Sequence, residues 1–517
     1  MNAKDANIET RKPFFYDVTL RDGNQALRKP WDLAQKEIVF RQLLKLGVQG
    51  VEVGFAGASQ MDFKACRHLA KIAAEVAPRT VVSSLARAVD HDIEEAARSV
   101  KDAPCPRVHT FIALSPFTME NVLRKTPEEV RAKAIHAVSL AKEMLGPQGS
   151  VEFSAEHFGD CMDNLDFVID VFRDVIAAGA DTINLPNTVE RYRPRLFVDM
   201  VSKVVEAVGD KATIAVHTHN DLGMATATTV ESYFAGAAQM EVALNGLGER
   251  AGNTNFYEVA VALHNCGVET GLNLGEIYET ALMVSELSGV SIYAKAPLIG
   301  AEAVVHRSGI HQDGASKTKN MKKGAYRPID FSLIGRDDND VLGFTSQSGR
   351  AAVAEIVNSC GYPISLSEAS ELQPVLKAIS EREGELDAAR VLEVFKDRFV
   401  NYTTRLCFIS VNGLRDEQRF VFTYKVGDEK RERSISAEGP IEACTRLMKE
   451  EGFDVELVSY KQGVVGEGDS LWNGRALSEI VFRNGEKTVT GRGVHNDTLV
   501  ANMKAVFGAV NMLFFRE

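Results

Sequence analysis

The sequence has few cysteines, no signal-like apolar core and no long hydrophobic run. Its seven cysteines are scattered, and none forms a C-x-x-C motif. This pattern favours a reducing compartment, in which thiols act mostly as small buried apolar groups. The segment MNAKDANIETRK is polar, and no apolar run approaches the roughly 20 residues of a membrane helix. We therefore expect a soluble cytoplasmic protein without a membrane partner.

Basic residues are also fewer than acidic residues. The 71 acidic residues outnumber the 59 lysines and arginines, which gives a formal net charge of -12. The overall field repels polyanions and argues against a generic nucleic-acid or membrane-surface binder, although a local basic site for an anionic cofactor remains compatible with it. Hydrophobic residues at 45% are ordinary for globular proteins, and 517 residues predict two or three domains.

A short apolar run followed by a helical segment recurs from residue 14 to about residue 265. The runs are rich in β-branched and aromatic residues and predict strands, and Gly47 and Gly179 end two of the helical segments. Eight such units predict an α/β fold of the (β/α)8 TIM barrel type, and a doubly wound open sheet is the alternative. The predicted strands are 14–20, 50–55, 80–86, 107–114, 151–156, 182–188, 213–219 and 240–246.

The sequence pattern changes beyond the barrel. We predict a catalytic barrel over residues 1–285, a helical linker region over 286–401 and a C-terminal α+β domain over 402–517. The linker region contains a polar stretch at 306–328 and a helical segment at 389–400. In the last part we predict strands at 404–413, 418–426, 455–464 and 478–485, and helices at 440–452 and 496–511.

Polar side chains follow the carboxyl ends of the predicted strands, where chemistry gathers in such barrels. Asp22 follows the first strand, His217 and His219 end the seventh, and Asn253 follows the eighth. A spacing of two puts both imidazoles on one side of a strand, and barrel closure makes strands seven, eight and one contiguous. The pattern predicts a site for Mg, Mn or Zn, and a surface H-x-H pair is the alternative.

Motifs in the same order resemble those of a known family. The stretches are TLRDGNQ (19–25), VEVGF (51–55), HTHND (217–221), NGLGERAGN (245–253) and SGIHQDG (308–314). They resemble the barrel-type, metal-dependent acyl-CoA condensing enzymes and lyases, which include 2-isopropylmalate, citramalate and homocitrate synthases and hydroxymethylglutaryl-CoA lyase. The resemblance is closest to the 2-isopropylmalate synthase branch. RDGNQ stands where many members have RDGEQ, and we attach little functional weight to that difference.

The resemblance implies roles for particular residues. Metal ligands would again be Asp22, His217, His219 and Asn253. His311 would come from the neighbouring subunit of a homodimer, and a structural or capping role for it is the alternative. The implied catalytic residues are Arg21, Glu156, His311, Asp313 and Tyr326, with Asp313 orienting His311 and with the base left open between Glu156 and His311. The implied substrate-binding residues are Arg21, Gln25, His109, Ser154, Asn184, Pro186 and Thr188.

The resemblance also implies a reaction, namely a Claisen-type condensation of acetyl-CoA with a 2-oxo acid followed by thioester hydrolysis. A small residue at Ser154 leaves room for the isopropyl group of 2-oxoisovalerate, whereas bulkier groups favour pyruvate and a citramalate synthase, the runner-up. Formation of the product, 2-isopropylmalate, would be the first committed step of leucine biosynthesis. The lysines at 317, 319, 322 and 323 are candidates for binding the CoA phosphates, and a solvated loop is the alternative.

Two C-terminal stretches resemble the regulatory domain of these synthases. They are AEGPIEA (437–443) and GRGVHND (491–497), with His495-Asn496-Asp497 where many members have Ser-Thr-Asp. The resemblance implies leucine as an effector bound between subunits and weakens the lyase alternative, since the lyase lacks this domain. A dimerisation domain without a ligand is the alternative. The intact catalytic set argues against a non-catalytic leucine sensor or scaffold.

Overall fold

The computed structural model describes residues 12–318, 321, 324–336, 341–414, 418–465 and 474–516. The chain divides into two compact units. One unit comprises Met1–Val304 and Ile329–Asp338, and the other comprises Val305–Pro328 and Asn339–Glu517.

The first unit contains a closed barrel of eight parallel strands, which confirms the predicted fold. The open-sheet alternative is wrong because β1 (Phe14–Asp17) pairs with both β2 (Gly50–Gly54) and β8 (Gln239–Val242). Between them lie β3 (Val81–Arg87), β4 (Cys105–Ala113), β5 (Ser150–Glu156), β6 (Thr182–Asn187) and β7 (Thr213–Thr218).

A helix follows each barrel strand. The helices are α1 (Leu33–Leu46), α2 (Gln60–Val76), α3 (Asp90–Val100), α4 (Pro127–Leu145), α5 (Leu165–Ala177), α6 (Pro194–Val208), α7 (Ala225–Phe234) and α8 (Phe256–Asn265), and α9 (Ile277–Ser288) comes after them. Helix α1 shows why these segments begin and end where they do. The Asp32 side chain accepts a hydrogen bond from the Gln35 backbone amide, and Gly47 ends the helix at φ +84°.

The first strand is shorter than predicted and leads into a tight turn. Strand β1 ends at Asp17, and Thr19–Gly23 forms one π-helical turn. The Asp17 carboxylate accepts hydrogen bonds from the Thr19 amide and hydroxyl, each at 2.9 Å, so a side chain replaces the sheet ladder here. The Thr19 hydroxyl also accepts from the Leu244 amide at 2.8 Å, which ties this turn to the segment after β8.

A polar layer fills part of the barrel interior. The Arg107 guanidinium donates to Glu152 and to Gln239, each at 2.9 Å, and the Gln239 amide donates to Glu152 at 2.8 Å. All of these side chains are buried. Burial raises the pKa of Glu152 to about 7, although Arg107 and His109 oppose the shift. Arg107 thus pairs with Glu152 but does not overcome the effect of burial on that carboxyl.

The second unit combines helices with sheets, and its two antiparallel sheets lie within residues 402–517, for which an α+β domain is predicted. Strands β9 (Val305–His306) and β10 (Val341–Leu342) form a parallel pair, and two three-stranded antiparallel sheets lie further along the chain. The sheet strands are β11 (Leu406–Leu414), β12 (Arg419–Val426), β13 (Glu429–Ser436), β14 (Glu456–Val465), β15 (Arg475–Asn484) and β16 (Lys487–His495). The helices are α10 (Gly309–Lys317), α11 (Arg350–Ser359), α12 (Leu366–Glu383), α13 (Ala388–Phe399), α14 (Pro440–Glu450) and α15 (Thr498–Phe514).

One hydrophobic core of this unit includes residues on both sides of position 401. It includes Phe395 and Phe399 of α13 together with Leu477 and Val494 of the last sheet. Hydrophobic side chains from both sides of residue 401 pack in this one core. The domain boundaries at residues 285 and 401 stay predictions.

The sequence did not predict the short strands β9 and β10, nor two longer strands of the antiparallel sheets, β13 and β16. Strand β13 reads EKRERSIS, a charged run whose side chains are mostly exposed at the edge of its sheet. Strand β16 contains Gly-Arg-Gly, which weakens a strand prediction. Its glycines are required by packing, since a Cβ added at Gly493 would lie 1.9 Å from the carbonyl oxygen of Ala501 in α15.

No helix among the described residues is long and apolar enough to cross a membrane. The seven cysteines are free thiols. Only Cys66, Cys161 and Cys444 are buried, so the expectation that the thiols act mostly as buried apolar groups is met by these three alone.

We predict that Gly493→Ala destabilises the C-terminal part of the chain. The added methyl meets main-chain atoms of α15 that cannot move without displacing the helix, so we expect a loss of about 1–3 kcal/mol or more. The measurement is thermal unfolding by calorimetry. Gly463→Ala on β14 is the matched control, because its Cβ would meet nothing within 4 Å. Equal midpoints for the two variants would contradict the packing argument.

Candidate active site

A cavity of about 260 Å³ at the carboxyl end of the barrel strands collects most of the predicted residues. Its lining includes eleven residues predicted from the sequence: Arg21, Asp22, Gln25, His109, Ser154, Glu156, Asn184, Pro186, Thr188, His217 and His219. It also includes five that were given no role: Leu85, Phe111, Glu241, Glu249 and Arg250.

Three of the predicted metal ligands converge in this cavity. The Asp22 Oδ2 atom lies 3.5 Å from His217 Nε2 and 4.0 Å from His219 Nε2, and the two Nε2 atoms are 3.3 Å apart. All three side chains are buried. His217 on β7 and His219 directly after it carry the two imidazoles, and the turn after β1 carries the carboxylate, so barrel closure makes the cluster.

Glu241 of β8 orients one of these imidazoles. Its Oε2 atom lies 2.8 Å from His217 Nδ1, and the two residues are register partners on neighbouring strands. With Nδ1 protonated and donating to the Glu241 carboxylate, the Nε2 lone pair would be available to a bound cation, which is how a metal-binding histidine is usually held. The sequence reasoning gave Glu241 no role, although a glutamate within an apolar strand run is a signal that could have found it.

The donor atoms of the cluster fit a divalent cation. The Asp22 Oδ1 atom is buried and has no hydrogen-bond partner among the described residues, and the same is true of Asn253 Oδ1. Buried oxygens without partners are costly unless a cation satisfies them. Burial alone would raise the pKa of the Asp22 carboxyl, but Arg21 and the two imidazoles hold it well below its usual range. The ionised carboxylate is the form that binds a metal.

Asn253 stands next to the cluster in the main chain. It forms an antiparallel bridge with His219, and its side-chain amide donates to the Leu247 carbonyl at 3.1 Å. Asn253 is not among the residues that line the cavity, so its role as the fourth ligand stays a prediction.

Arg21 is fixed by two carboxylates. Its Nε atom donates to Glu52 Oε2 at 2.5 Å, and its NH1 atom lies 3.2 Å from Asp22 Oδ2. Glu52 of β2 received no role from the sequence, although it belongs to the VEVGF stretch. Burial opposes ionisation of Glu52, but the neighbouring Arg21 and His109 lower its pKa to about 2. The guanidinium is therefore held rigidly beside the candidate metal ligands.

A chain of hydrogen bonds continues from Glu52 across the wall of the cavity. His109 Nδ1 lies 2.6 Å from Glu52 Oε1, and His109 Nε2 lies 2.6 Å from the Ser154 hydroxyl. The Asn184 amide donates to the same hydroxyl at 2.8 Å. Three predicted substrate-binding residues thus form one buried network, in which each side chain fixes the orientation of the next.

Glu156 lies at the end of β5 and is half-buried in the cavity wall. Burial raises the pKa of its carboxyl above the ordinary value. Its carboxylate has no side-chain hydrogen bond among the described residues, in contrast to Glu52 and Glu241. A carboxylate with a raised pKa and no fixed partner is suited to accept a proton.

Arg250 ties three loops together at the mouth of the cavity. Its guanidinium donates to both carboxylate oxygens of Asp221, at 2.8 and 2.9 Å, and to the Thr188 carbonyl at 2.7 Å. Gln25 lies at the same rim and donates to Glu249 at 3.4 Å. The loops after β6, β7 and β8 are thereby linked by charge-assisted hydrogen bonds.

The remaining predicted residues belong to the second unit. On α10, the His311 ring stacks on Tyr326 with centroids 4.1 Å apart and an interplanar angle of 19°. Asp313 pairs with Lys317 at 2.5 Å, and within the described part of the chain no hydrogen bond joins it to His311. Lys319, Lys322 and Lys323 lie outside the described residues. The catalytic roles of His311, Asp313 and Tyr326 stay predictions.

Three protein-family models match this chain. The HMGL-like model matches residues 12–284, which form the barrel. The model described as alpha-isopropylmalate synthase, post-catalytic domain-like, matches residues 303–358. The model of the LeuA allosteric (dimerisation) domain matches residues 390–514.

Curated relatives match over most of their length. A protein named 2-isopropylmalate synthase 2 from Leptospira interrogans is 57% identical over 374 residues, which cover 72% of this chain and 87% of the relative. A 2-isopropylmalate synthase from Pyrococcus furiosus is 35% identical over 517 residues, or 97% of this chain and 99% of the relative. One from Campylobacter hominis is 33% identical and covers 98% and 99% of the two chains. The family models and the curated relatives show that the chain belongs to the 2-isopropylmalate synthase family of acyltransferases.

Proposed function

We propose that this chain condenses acetyl-CoA with 2-oxoisovalerate and hydrolyses the thioester, giving 2-isopropylmalate and CoA at the entry to leucine biosynthesis. The observation that carries the proposal is the convergence of Asp22, His217 and His219 beside a rigidly held Arg21 in one cavity. The names of the curated relatives support the same reaction.

A divalent cation held by Asp22, His217, His219 and Asn253 would act as a Lewis acid on the keto group of the 2-oxo acid. The chain's own residues perform the other tasks. The Arg21 guanidinium lines the same cavity as the candidate metal ligands. Its fixed positive charge stabilises the negative charge that develops on the former keto oxygen. Because Glu52 already holds this guanidinium, little reorganisation is needed during the reaction.

Proton transfer from the methyl group of acetyl-CoA falls to Glu156 together with His311. The raised pKa of Glu156 brings its basicity closer to neutral pH, where proton transfer is most effective. His311 is an exposed imidazole stacked on Tyr326, so its ring is held in a defined orientation and remains accessible. We propose that it acts in the cavity of the neighbouring subunit of a homodimer.

Acceptor choice rests on the wall formed by His109, Ser154 and Asn184. Ser154 is small and buried, and its hydroxyl is held by both neighbours, so the space in front of it stays open to a branched side chain. The match of the LeuA allosteric (dimerisation) domain supports leucine as the effector and a homodimer as the working assembly.

We predict that His217→Ala and His219→Ala each abolish turnover and weaken Mn²⁺ binding, because each removes an imidazole of the cluster. Glu241→Gln is expected to weaken Mn²⁺ binding by about 10–100-fold, since it disturbs the orientation of His217 while leaving the ligands in place. Isothermal titration of the metal-free protein measures both effects. Unchanged Mn²⁺ affinity in His217→Ala would rule out the metal site.

We predict that His311→Ala lowers kcat by about 10²–10⁴-fold and leaves Mn²⁺ affinity near that of the unmodified chain, because it removes a proton-transfer group and no metal ligand. Thiol release from acetyl-CoA gives kcat. The control is His264→Ala, which removes an exposed histidine of α8. Full activity of His311→Ala would refute its catalytic role.

We predict the highest kcat/KM with 2-oxoisovalerate among pyruvate, 2-oxobutyrate, 2-oxoisovalerate and 2-oxoglutarate, with inhibition by leucine. Ser154→Leu should reverse the preference towards pyruvate, because each methylene in such a pocket is worth about 1–3 kcal/mol. Thiol release with each acceptor is the measurement. Preference of the unmodified chain for pyruvate would make it a citramalate synthase, and no release with any acceptor would favour a sensor or scaffold.

A further inference from the structure

A triangle of buried threonine hydroxyls lies behind the candidate metal site. Thr218 lies between the two histidines, Thr229 lies on α7, and Thr254 follows Asn253 directly. The Thr229 hydroxyl is 2.8 Å from that of Thr218 and 2.9 Å from that of Thr254, and the hydroxyls of Thr218 and Thr254 also hydrogen-bond to each other. All three side chains have 0% exposure.

The triangle cannot touch a substrate in the cavity. Successive side chains of a strand point to opposite faces, so the Thr218 hydroxyl lies on the face of β7 opposite to the imidazoles of His217 and His219. None of the three threonines lines the cavity. Any influence on the chemistry must therefore pass through the neighbouring ligand residues.

The triangle joins the two chain segments that carry metal ligands. The Thr254 amide donates to the Thr218 carbonyl at 2.9 Å, and the Thr254 hydroxyl lies 3.1 Å from the same oxygen. One residue away on each segment, His219 and Asn253 form an antiparallel bridge. The Thr218 hydroxyl also lies 3.2 Å from the Ala225 carbonyl at the start of α7. Strand, loop and helix thus share one buried cluster.

Each hydroxyl of the cluster has a hydrogen-bond partner, and none is among the unpaired buried atoms of the described residues. A hydroxyl replaced by a methyl leaves the other two with fewer partners in a site that water does not reach. If Thr229 loses its hydroxyl, Thr218 and Thr254 keep their backbone carbonyl partners, but the side chain of α7 no longer links the two segments, which are then freer to shift. A shift would change the separation between His219 and Asn253, and metal affinity depends on ligand geometry.

We propose that Thr218, Thr229 and Thr254 are positioning residues of the metal site, which set the distance between the histidine strand and the Asn253 loop. The inference rests on the proposed function, because it requires that the cluster binds a metal. The proposal adds a set of residues behind the metal ligands. One of them, Thr229, lies on α7, a helix that carries none of the four proposed ligands.

The test uses Thr229, since this residue is not adjacent to a ligand in sequence. In the full-length, metal-free protein, Thr229→Val should weaken Mn²⁺ affinity by about tenfold, and Thr229→Ser, which restores the hydroxyl, should return it to within about twofold. Thr229→Ala removes the hydroxyl without adding a methyl and carries the same expectation as Thr229→Val. Isothermal titration with Mn²⁺ and thermal unfolding of the metal-free protein are measured for each variant.

Thr110→Val is the matched control, because Thr110 is buried on β4 and its hydroxyl has no partner among the described residues. It should leave Mn²⁺ affinity unchanged. If Thr229→Val lowers the unfolding temperature and binds Mn²⁺ like the unmodified chain, the inference is overturned and the metal site stands. If the unmodified chain binds no Mn²⁺, or if His217→Ala binds equally well, the proposed function fails and the inference fails with it.

Discussion

The pairing of β1 with β8 is the constraint on which the site depends. Tyr16 and Asp17 pair in register with Glu241 and Val242, and this pairing closes the sheet into a barrel. Closure brings a turn near the start of the chain beside strands about 200 residues later. Without it, Asp22 would have no reason to lie within 4.0 Å of His217 and His219.

Closure also decides the electrostatics of the barrel interior. Glu52, Glu152 and Glu241 come from three different strands and are all buried. Each has a partner that offsets the cost of burial: Arg21 for Glu52, Arg107 for Glu152 and His217 for Glu241. The acidic interior therefore holds cationic and imidazole groups in fixed positions, and two of these, Arg21 and His217, face the cavity. Stability and chemistry rest on the same pairs.

Much of the fold was predictable because its signals are local. Alternating apolar runs and helical segments located all eight barrel strands, and the Gly47 cap ended α1 as expected. The strands that were missed lack a local signal. Strand β13 is too charged, and β16 carries glycines whose reason is the close approach of α15. Packing against α15 dictates the glycines of β16, and β13 is a mostly exposed edge strand, so neither shows a periodic apolar pattern.

The sequence alone determined the barrel class, the two histidines on one face of a strand and the candidate ligand set, since these follow from spacing and strand order. Only the tertiary structure decided which side chains support that set. Glu52 and Glu241 acquire their roles from pairing across strands, with Arg21, His109 and His217 as partners. The threonine triangle likewise exists only where strand, loop and helix meet. A hydrogen bond between segments distant in sequence produces no periodic pattern in either segment. Such a bond can therefore be identified only once the folded structure shows both partners together.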